Sequence, residues 1–246
     1  MKNWQEILSN FLEKFKNEEY VIGAVLCGSY ANGNNTKNSD IDVHIITKEI
    51  SFKERGNVII DGIMIEYFMN PLNEIYKYLE NDYKNRRRLA DANMFANGKI
   101  LFDKTGDIEK LKQESKKYYE MDFPEPDKNT ILCNNYACWD LMDEIKDRID
   151  NNESYEFLYY QLLKELISNY YYKNKISTVP FSKIEKLYKN EAYRENYHLK
   201  NMPPQEFIDL VINTIDNKSF KNIENLYQYV IGDFKITDFI LHTELK

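Results

Sequence analysis

The chain has 246 residues, a formal net charge of −7 and a hydrophobic fraction of 43%. This length and hydrophobic content are typical of a folded protein with one large or two small domains, and they exclude an intrinsically disordered chain. No run approaches the roughly 18 apolar residues that a membrane span needs, and the start lacks an apolar signal core. Three cysteines, an odd number, argue against a disulfide framework and favour a cytoplasmic location. The acidic balance argues against nucleic acid as a partner.

The prolines divide the chain, because five of the six lie at or after Pro124. Residues 122–127 show no apolar period, and a proline disfavours helix in the residue before it. We therefore place a domain boundary here, which gives predicted domains 1–122 and 123–246.

The first domain alternates between helical and strand patterns. Apolar residues recur at helical spacing from Trp4 to Phe15, whereas residues 20–27 form a short apolar run typical of a buried strand. Residues 40–47 alternate as a second strand would, and Asp61-Gly62 between two apolar runs predicts a two-residue hairpin. The remaining patterns predict a helix over about 71–88, a strand over about 99–102 and a helix over about 107–119.

The second domain is helical in pattern throughout. Residues 131–149 and 155–171 are periodic, and shorter amphipathic pieces follow as far as Val230. This half predicts a helical bundle, and its short apolar pieces leave open a strand near the C-terminus.

A glycine and a serine close the first strand. Gly28 and Ser29 follow the apolar run, and Ser39 lies ten residues after Ser29, before the next strand. Glycine lets the backbone approach a ligand closely, and successive N–H groups in such a turn bind anions. The turn therefore predicts a phosphate site.

Three carboxylates carry the predicted chemistry. Asp40 and Asp42 lie two apart on the second strand, so their side chains leave the same face and repel unless a cation lies between them. Beside a phosphate turn, such a pair favours Mg²⁺. Glu66 lies on the second hairpin strand among apolar residues, where an unpaired charge is costly. We favour Glu66 over Asp61 as the third ligand, because the turn already explains Asp61.

These residues resemble a known signature. The sequence from Gly28 to Gly33, GSYANG, followed by Ser39-Asp40-Ile41-Asp42-Val43, is similar to that of the DNA polymerase beta-like nucleotidyltransferase superfamily. The order of elements extends the resemblance to about residue 68. The strand at 99–102 and the helix after it resemble small-molecule members of the superfamily, which include enzymes that modify aminoglycoside and lincosamide antibiotics.

The resemblance implies an α+β fold: a nucleotidyltransferase fold, with a mixed β-sheet flanked by helices, followed by a C-terminal α-helical bundle domain that shapes the acceptor side. It implies that Gly28 and Ser29 hold the phosphates of ATP or another NTP, with Ser39 as a further contact. Asp40, Asp42 and Glu66 would be the catalytic and metal-binding residues, and together they would bind two Mg²⁺ ions. Glu66 could also accept the proton of the acceptor hydroxyl.

Two further features stay open at this stage. Arg86, Arg87 and Arg88 could clamp a triphosphate, but basic residues are also favoured at a helix C-terminus. His44 lies on the same strand face as the aspartates, where a structural, hydrogen-bonded histidine is the favoured interpretation.

We expect the acceptor to be a small molecule with a hydroxyl, and the negative net charge favours a cationic one, such as an aminoglycoside or lincosamide antibiotic. The alternatives are an antitoxin-like enzyme that adenylylates a protein and a non-catalytic nucleotide-binding sensor. The length of the helical half argues against the former, and the intact acidic residues argue against the latter. A monomer and a homodimer both stay open.

Overall fold

The computed structural model describes residues 3–197 and 199–242. The chain divides into two compact units, Met1–Met121 and Asp122–Lys246, which we call the N-terminal unit and the helical unit. Across the described residues, no helix combines the length and apolar character that crossing a bilayer requires.

The N-terminal unit is built on a mixed sheet. Its elements, in chain order, are α1 (Trp4–Lys16), β1 (Val21–Cys27), α2 (Gly28–Asn32), β2 (Ile41–Thr47), β3 (Glu54–Ile60), β4 (Ile63–Pro71), α3 (Leu72–Lys84), α4 (Ala90–Asn97), β5 (Lys99–Asp103) and α5 (Asp107–Lys117). The strand order is β3-β4-β2-β1-β5. The β2–β4 pair is parallel, and the other neighbouring pairs are antiparallel.

The predicted hairpin joins β3 to β4. Ile60 pairs with Ile63 across the two-residue turn, and Asp61 and Gly62 have φ values of 50° and 81°. Positive φ at both turn residues matches the right-handed twist of the strands, which is why Asp-Gly is favoured there.

The two faces of the sheet have different roles. We call the face that carries Ile41, Val43 and Ile45 of β2 the back face, because these fully buried side chains belong to the same core cluster as the apolar side of α1. Burial of large apolar side chains such as Phe11 stabilises this contact by about 1.5–3 kcal/mol each. The opposite side, which we call the front face, carries Asp42 and His44 of β2 and Glu66 of β4.

Every described secondary-structure element of the helical unit is a helix. The helices are α6 (Lys128–Asp150), α7 (Glu156–Lys173), α8 (Ile184–Lys189), α9 (Glu191–Tyr197), α10 (Gln205–Asp216) and α11 (Phe220–Ile231), with short 3₁₀ turns at Phe181–Lys183 and Ile236–Asp238. Leu162, Leu166, Phe207 and Leu226 are fully buried in its core. The predicted α+β architecture with a helical C-terminal part is confirmed, and the strand left open near the C-terminus is not found in the described residues.

The prediction of a single helix over about 71–88 was wrong about where the helix ends. α3 stops at Lys84, and α4, which sequence patterns did not predict, follows from Ala90. The physical reason is the buried carboxylate of Asp82, which accepts hydrogen bonds from Arg88 Nε at 2.8 Å and from the backbone N–H of Asp91 at 3.3 Å. The chain turns back around this carboxylate instead of continuing the helix.

Candidate functional site

Three carboxylates meet on the front face of the sheet. Asp40 immediately precedes β2, Asp42 is the second residue of β2, and Glu66 lies in β4. One carboxylate oxygen from each residue lies within 4.8 Å of the other two, and all three side chains are half-buried. We call this group the acidic cluster. The structure thus brings together the three residues predicted as metal ligands.

Strand alternation and register explain the cluster. Ile41 and Val43 are fully buried on the back face, so Asp42 between them must point to the front. The parallel register pairs Asp42 directly with Glu66, because β4 lies beside β2 in the sheet. Two residues that are 24 positions apart in sequence therefore become neighbours.

Gly28 makes room for the cluster. It follows Cys27, the β1 residue that pairs with Asp42, and has a φ of 65°, which L side chains rarely adopt. A Cβ at this position would lie 2.0 Å from Asp42 Oδ2. Glycine is therefore required here twice, for the backbone conformation and for the space that the carboxylate occupies.

Ser29 follows in the first turn of α2, a short helix that begins at Gly28, ends at Asn32 and is capped by Gly33. Tyr30 and Ala31 are buried and anchor α2 in the core. The first N–H groups of a helix have no intrahelical partner, so they are available to an anion. The Gly28-Ser29 turn predicted from the sequence lies directly beside Asp42, since Gly28 packs against that carboxylate.

Ser39 is engaged within its own loop. Its hydroxyl accepts a hydrogen bond from the backbone N–H of Thr36 at 2.8 Å and lies 3.3 Å from the Thr36 hydroxyl. These contacts hold the loop that leads into Asp40. A nucleotide contact from Ser39 stays a prediction.

Arg55 binds the carboxylate of Glu66. Its Nε and Nη2 both donate to Glu66 Oε1, at 3.2 Å and 2.6 Å, and its guanidinium lies 4.7 Å from the centre of the Phe68 ring. Glu66 is 17% exposed, whereas Arg55 is 68% exposed. One positive charge thus already lies against the acidic cluster.

His44 is the next front-face residue of β2 after Asp42. It is 8% exposed, and neither ring nitrogen has a hydrogen-bond partner among the described residues. Its ring stacks on Phe68 at 4.9 Å and meets Phe95 edge-on at 5.1 Å. Burial lowers the pKa of His44 to about 4, so the imidazole is neutral at physiological pH. The burial of His44 agrees with the structural role favoured from the sequence, but the hydrogen bond expected with that role is not found among the described residues.

Two arginines of the triplet contact the Asp82 carboxylate. Arg88 binds the Asp82 carboxylate at 2.8 Å and Arg86 approaches it at 3.5 Å, while Arg87 is buried with a φ of 49°. Burial, followed by the negative charge of Asp82, raises the pKa of Asp91 to about 6. Ion pairing with a buried aspartate accounts for Arg86 and Arg88 without a nucleotide.

The sequence comparisons agree with this geometry. The family described as the nucleotidyltransferase domain matches residues 8–128, a range that includes the acidic cluster and the Gly28-Ser29 turn. This part of the chain is a nucleotidyltransferase domain. The superfamily predicted from the Gly-Ser and Asp-x-Asp signature, and the enzyme class that it implies, are confirmed.

The other comparisons add little to the family match. A search of curated proteins finds no match. Among solved structures, the chain is similar to a nucleotidyltransferase-like protein from Exiguobacterium sibiricum 255-15, with 10% sequence identity and a TM-score of 0.47. That likeness covers 92% of this chain and 75% of the other.

The acidic cluster of the nucleotidyltransferase domain fits a divalent cation. Mg²⁺ takes oxygen ligands at about 2.1 Å, so two ligands on opposite sides of one ion lie about 4.2 Å apart. Donor oxygens within 4.8 Å of one another are close to that spacing. Three carboxylates so close together also repel, and Arg55 offsets one of their charges. The donor set and its charge therefore suit Mg²⁺.

Sequence reasoning missed Arg55, although a signal for it exists. The Asp61-Gly62 turn fixes the hairpin register, in which Arg55 pairs with Phe68 and Asn57 pairs with Glu66. Arg55 is therefore a diagonal neighbour of Glu66 on the same face, close enough for a long side chain to reach it. Extending the predicted hairpin by three pairs would have found this contact.

Proposed function

We propose that the protein transfers a nucleoside monophosphate, AMP from ATP, to a hydroxyl group of a small molecule and releases pyrophosphate. The observation that carries the proposal is the position of the acidic cluster beside the Gly28-Ser29 turn, within the part of the chain matched as a nucleotidyltransferase domain.

The phosphates of the nucleotide would bind at the Gly28-Ser29 turn. The N–H groups at the start of α2, which need no intrahelical partner, and the Ser29 hydroxyl could donate to the β- and γ-phosphates. Asp40 and Asp42 would hold Mg²⁺, which neutralises charge on the phosphates when bound. The turn follows the residue that pairs with Asp42, so the phosphates and the carboxylates share one edge of the site.

The acceptor would approach from the side of Glu66. Strand β2 separates β4 from β1 and its Gly28-Ser29 turn, so Glu66 lies on the far side of Asp42 from the proposed pyrophosphate. In-line displacement needs this arrangement, since the attacking and leaving oxygens lie on opposite sides of the phosphorus. The acceptor oxygen bonds to the α-phosphorus, the bond to the β-phosphate oxygen breaks, and the acceptor proton passes to Glu66.

The acceptor class is proposed from charge. The formal net charge of −7 favours a cationic hydroxyl compound over a polyanion such as nucleic acid, so aminoglycosides and lincosamides are the first candidates.

The test is a transfer assay with ATP labelled at the α-phosphorus, Mg²⁺ and a panel of hydroxyl compounds. Asp42→Asn should reduce labelled product and pyrophosphate release by at least about 100-fold. Asp61→Asn is the matched control, because the hairpin turn accepts asparagine as readily as aspartate. Full activity in Asp42→Asn would refute the proposal.

The same assay separates the alternatives. Label on cellular protein in place of a small molecule would indicate a protein-adenylylating enzyme. Nucleotide binding without transfer to any acceptor would indicate a sensor.

A further inference from the structure

The front face of the β3–β4 hairpin carries a row of opposed side chains. In order toward the turn, the pairs are Arg55 with Phe68, Asn57 with Glu66, and Ile59 with Met64. Because Glu66 lies on the proposed acceptor side, the pairs before and after it form the surface that surrounds the reacting hydroxyl.

The pair nearest the turn is apolar and exposed. Ile59 is 71% exposed and Met64 is 38% exposed. Ile65, the residue between Met64 and Glu66, is fully buried on the back face, so Met64 points to the front as Glu66 does. We call Ile59 and Met64 the apolar pair.

The exposure of Ile59 is unusual for its position in the sheet. β3 is an edge strand, and edge strands commonly carry polar or charged residues that oppose association with other chains. The other exposed side chains of β3 follow this rule, since they are Glu54, Arg55 and Asn57. An apolar side chain at the end of this polar row indicates a surface that a ligand covers.

The strand register places the apolar pair beside the acidic cluster. Ile41 of β2 pairs with Ile65 of β4, so Asp40, one residue earlier, is level with Met64. Neighbouring strands lie about 4.8 Å apart. Met64 therefore adjoins the acidic cluster directly, and Ile59 lies one strand further out.

The surface on the other side of Glu66 is already occupied. Arg55 donates two hydrogen bonds to Glu66, and its guanidinium lies 4.7 Å from the centre of the Phe68 ring. The His44 ring covers the other face of Phe68 at 4.9 Å. Within the described hairpin, the apolar pair is therefore the uncovered apolar surface that adjoins Glu66.

The distance from Glu66 to the apolar pair limits the size of the ligand. Met64 and Glu66 are two residues apart on one strand, so they are separated by roughly 7 Å. A chain or ring of about four to six carbon atoms spans that distance from a hydroxyl that reacts at Glu66. The flexible thioether of Met64 can adapt to alkyl and aryl groups alike.

We propose that the apolar pair binds an apolar group of the acceptor, so that the substrate is an amphipathic hydroxyl compound with an alkyl or aryl group close to the reacting hydroxyl. This rests on the proposed function and narrows it, because net charge does not distinguish amphipathic acceptors from compounds that are polar throughout. Ile59 and Met64 are specificity-determining residues and take no part in bond formation.

Binding can be observed at Met64 itself. In protein labelled with ¹³C at the methionine methyl groups, the Met64 signal is the one that Met64→Leu removes. Cyclohexylmethanol and benzyl alcohol should shift this signal saturably in the metal-free, nucleotide-free protein, whereas glycerol and erythritol should not. Ile59→Thr should weaken the binding of both apolar alcohols about fivefold, because it removes apolar contact surface.

Ile240→Thr is the matched control. Ile240 is 77% exposed and lies in the helical unit, so the same substitution there should leave the affinity unchanged. Ile59→Thr should also keep the unfolding temperature of the unmodified protein, since the site is exposed and threonine favours strands. Weaker binding with unchanged stability supports the proposal.

Two outcomes of these measurements would overturn the proposal. One is the absence of a saturable Met64 shift with either apolar alcohol, or an equal shift with glycerol. The other is a ligand-free protein that dimerises, with a Met64 shift that depends on protein concentration and that Ile59→Thr abolishes. The apolar pair would then bind a second copy of the chain.

The two proposals fail in different ways. Saturable binding at Met64, without transfer of label from ATP to any hydroxyl compound, would refute the proposed function and leave the role of the apolar pair in place. With an active acceptor, Ile59→Thr should raise the KM for the acceptor about fivefold and leave the KM for ATP unchanged. Transfer with both KM values unchanged would refute the role of the apolar pair and leave the function in place.

Discussion

Arg55 donates two hydrogen bonds to a single carboxylate oxygen of Glu66, from Nε at 3.2 Å and from Nη2 at 2.6 Å. The positive charge of Arg55 makes the electrostatic potential at the acidic cluster less negative. Its two hydrogen bonds also engage a carboxylate oxygen that could otherwise bind a cation. Arg55→Gln should therefore strengthen the binding of Mn²⁺ to the nucleotide-free protein by a factor of about two to five, the range of a partly exposed ion pair.

Arg55→Lys, which keeps the charge, is the control for that change. Both variants can be titrated with Mn²⁺ by electron paramagnetic resonance. Weaker binding in Arg55→Gln would mean that Arg55 chiefly orients Glu66, and it would contradict the expected competition.

Gly28→Ala should abolish activity, since its Cβ would collide with Asp42 Oδ2. The collision displaces a carboxylate of the acidic cluster, so we expect a loss of at least about 100-fold in transfer. Gly33→Ala is a close control: Gly33 also has a positive φ, of 71°, but a Cβ there would meet nothing within 4 Å.

Both alanine variants carry the same backbone strain of about 1–2 kcal/mol, which thermal unfolding should register in each. The difference in activity between them then isolates the contact with Asp42. Equal activity in the two variants would contradict the close packing of Gly28 against that side chain.

Ser29→Ala and Ser39→Ala should separate the two predicted nucleotide contacts. A hydroxyl that donates to a phosphate contributes about 1.5–3 kcal/mol, so Ser29→Ala should raise the KM for ATP roughly 10- to 100-fold. The Ser39 hydroxyl already accepts a bond from the Thr36 N–H, so Ser39→Ala should affect the stability of the loop more than the KM. The measurement is steady-state kinetics at varied ATP concentration. A larger increase in the KM for ATP in Ser39→Ala than in Ser29→Ala would mean that Ser39 is the main contact, contrary to this prediction.

Asp91 should make the protein less stable as the pH rises. Burial and Asp82 raise its pKa in the folded state from 3.8 to about 6, so between these values the folded state binds more protons than the unfolded state. Stability from this group is therefore lost as pH rises through about 4 to 6, by at most about 3 kcal/mol. Arg88 and Arg86 oppose part of the shift.

Asp91→Asn keeps a hydrogen-bond donor for Asp82 but cannot ionise. Its unfolding temperature should exceed that of the unmodified protein at about pH 7.5 and match it at about pH 4. A gain of equal size at both pH values would rule out titration of Asp91 as the cause.

Local patterns predicted the parts of the fold that local physics determines. Apolar alternation located β2, and Asp61-Gly62 located the hairpin, so Asp42 and Glu66 could be placed on strands before their pairing was known. The Gly28-Ser29 turn was recognisable because glycine is needed where a Cβ has no room.

The features that were missed depend on contacts between distant side chains. No periodic pattern ends α3 at Lys84; the end follows from Asp82, whose buried carboxylate is satisfied only when Arg88 and Asp91 fold around it. The aromatic surroundings of His44 could not be predicted either, because the sequence alone does not show that its neighbours are Phe68 and Phe95.

The parallel pairing of β2 with β4 has a mechanical consequence. Asp42 is fixed in the centre of the sheet, whereas Glu66 arrives on a hairpin whose outer strand, β3, is an edge of the sheet. A cation shared by these two carboxylates would fasten the hairpin to the rest of the sheet, and its binding free energy would add to the free energy of peeling β4 from β2. The amide protons of that strand pair should then exchange more slowly as the divalent ion concentration rises.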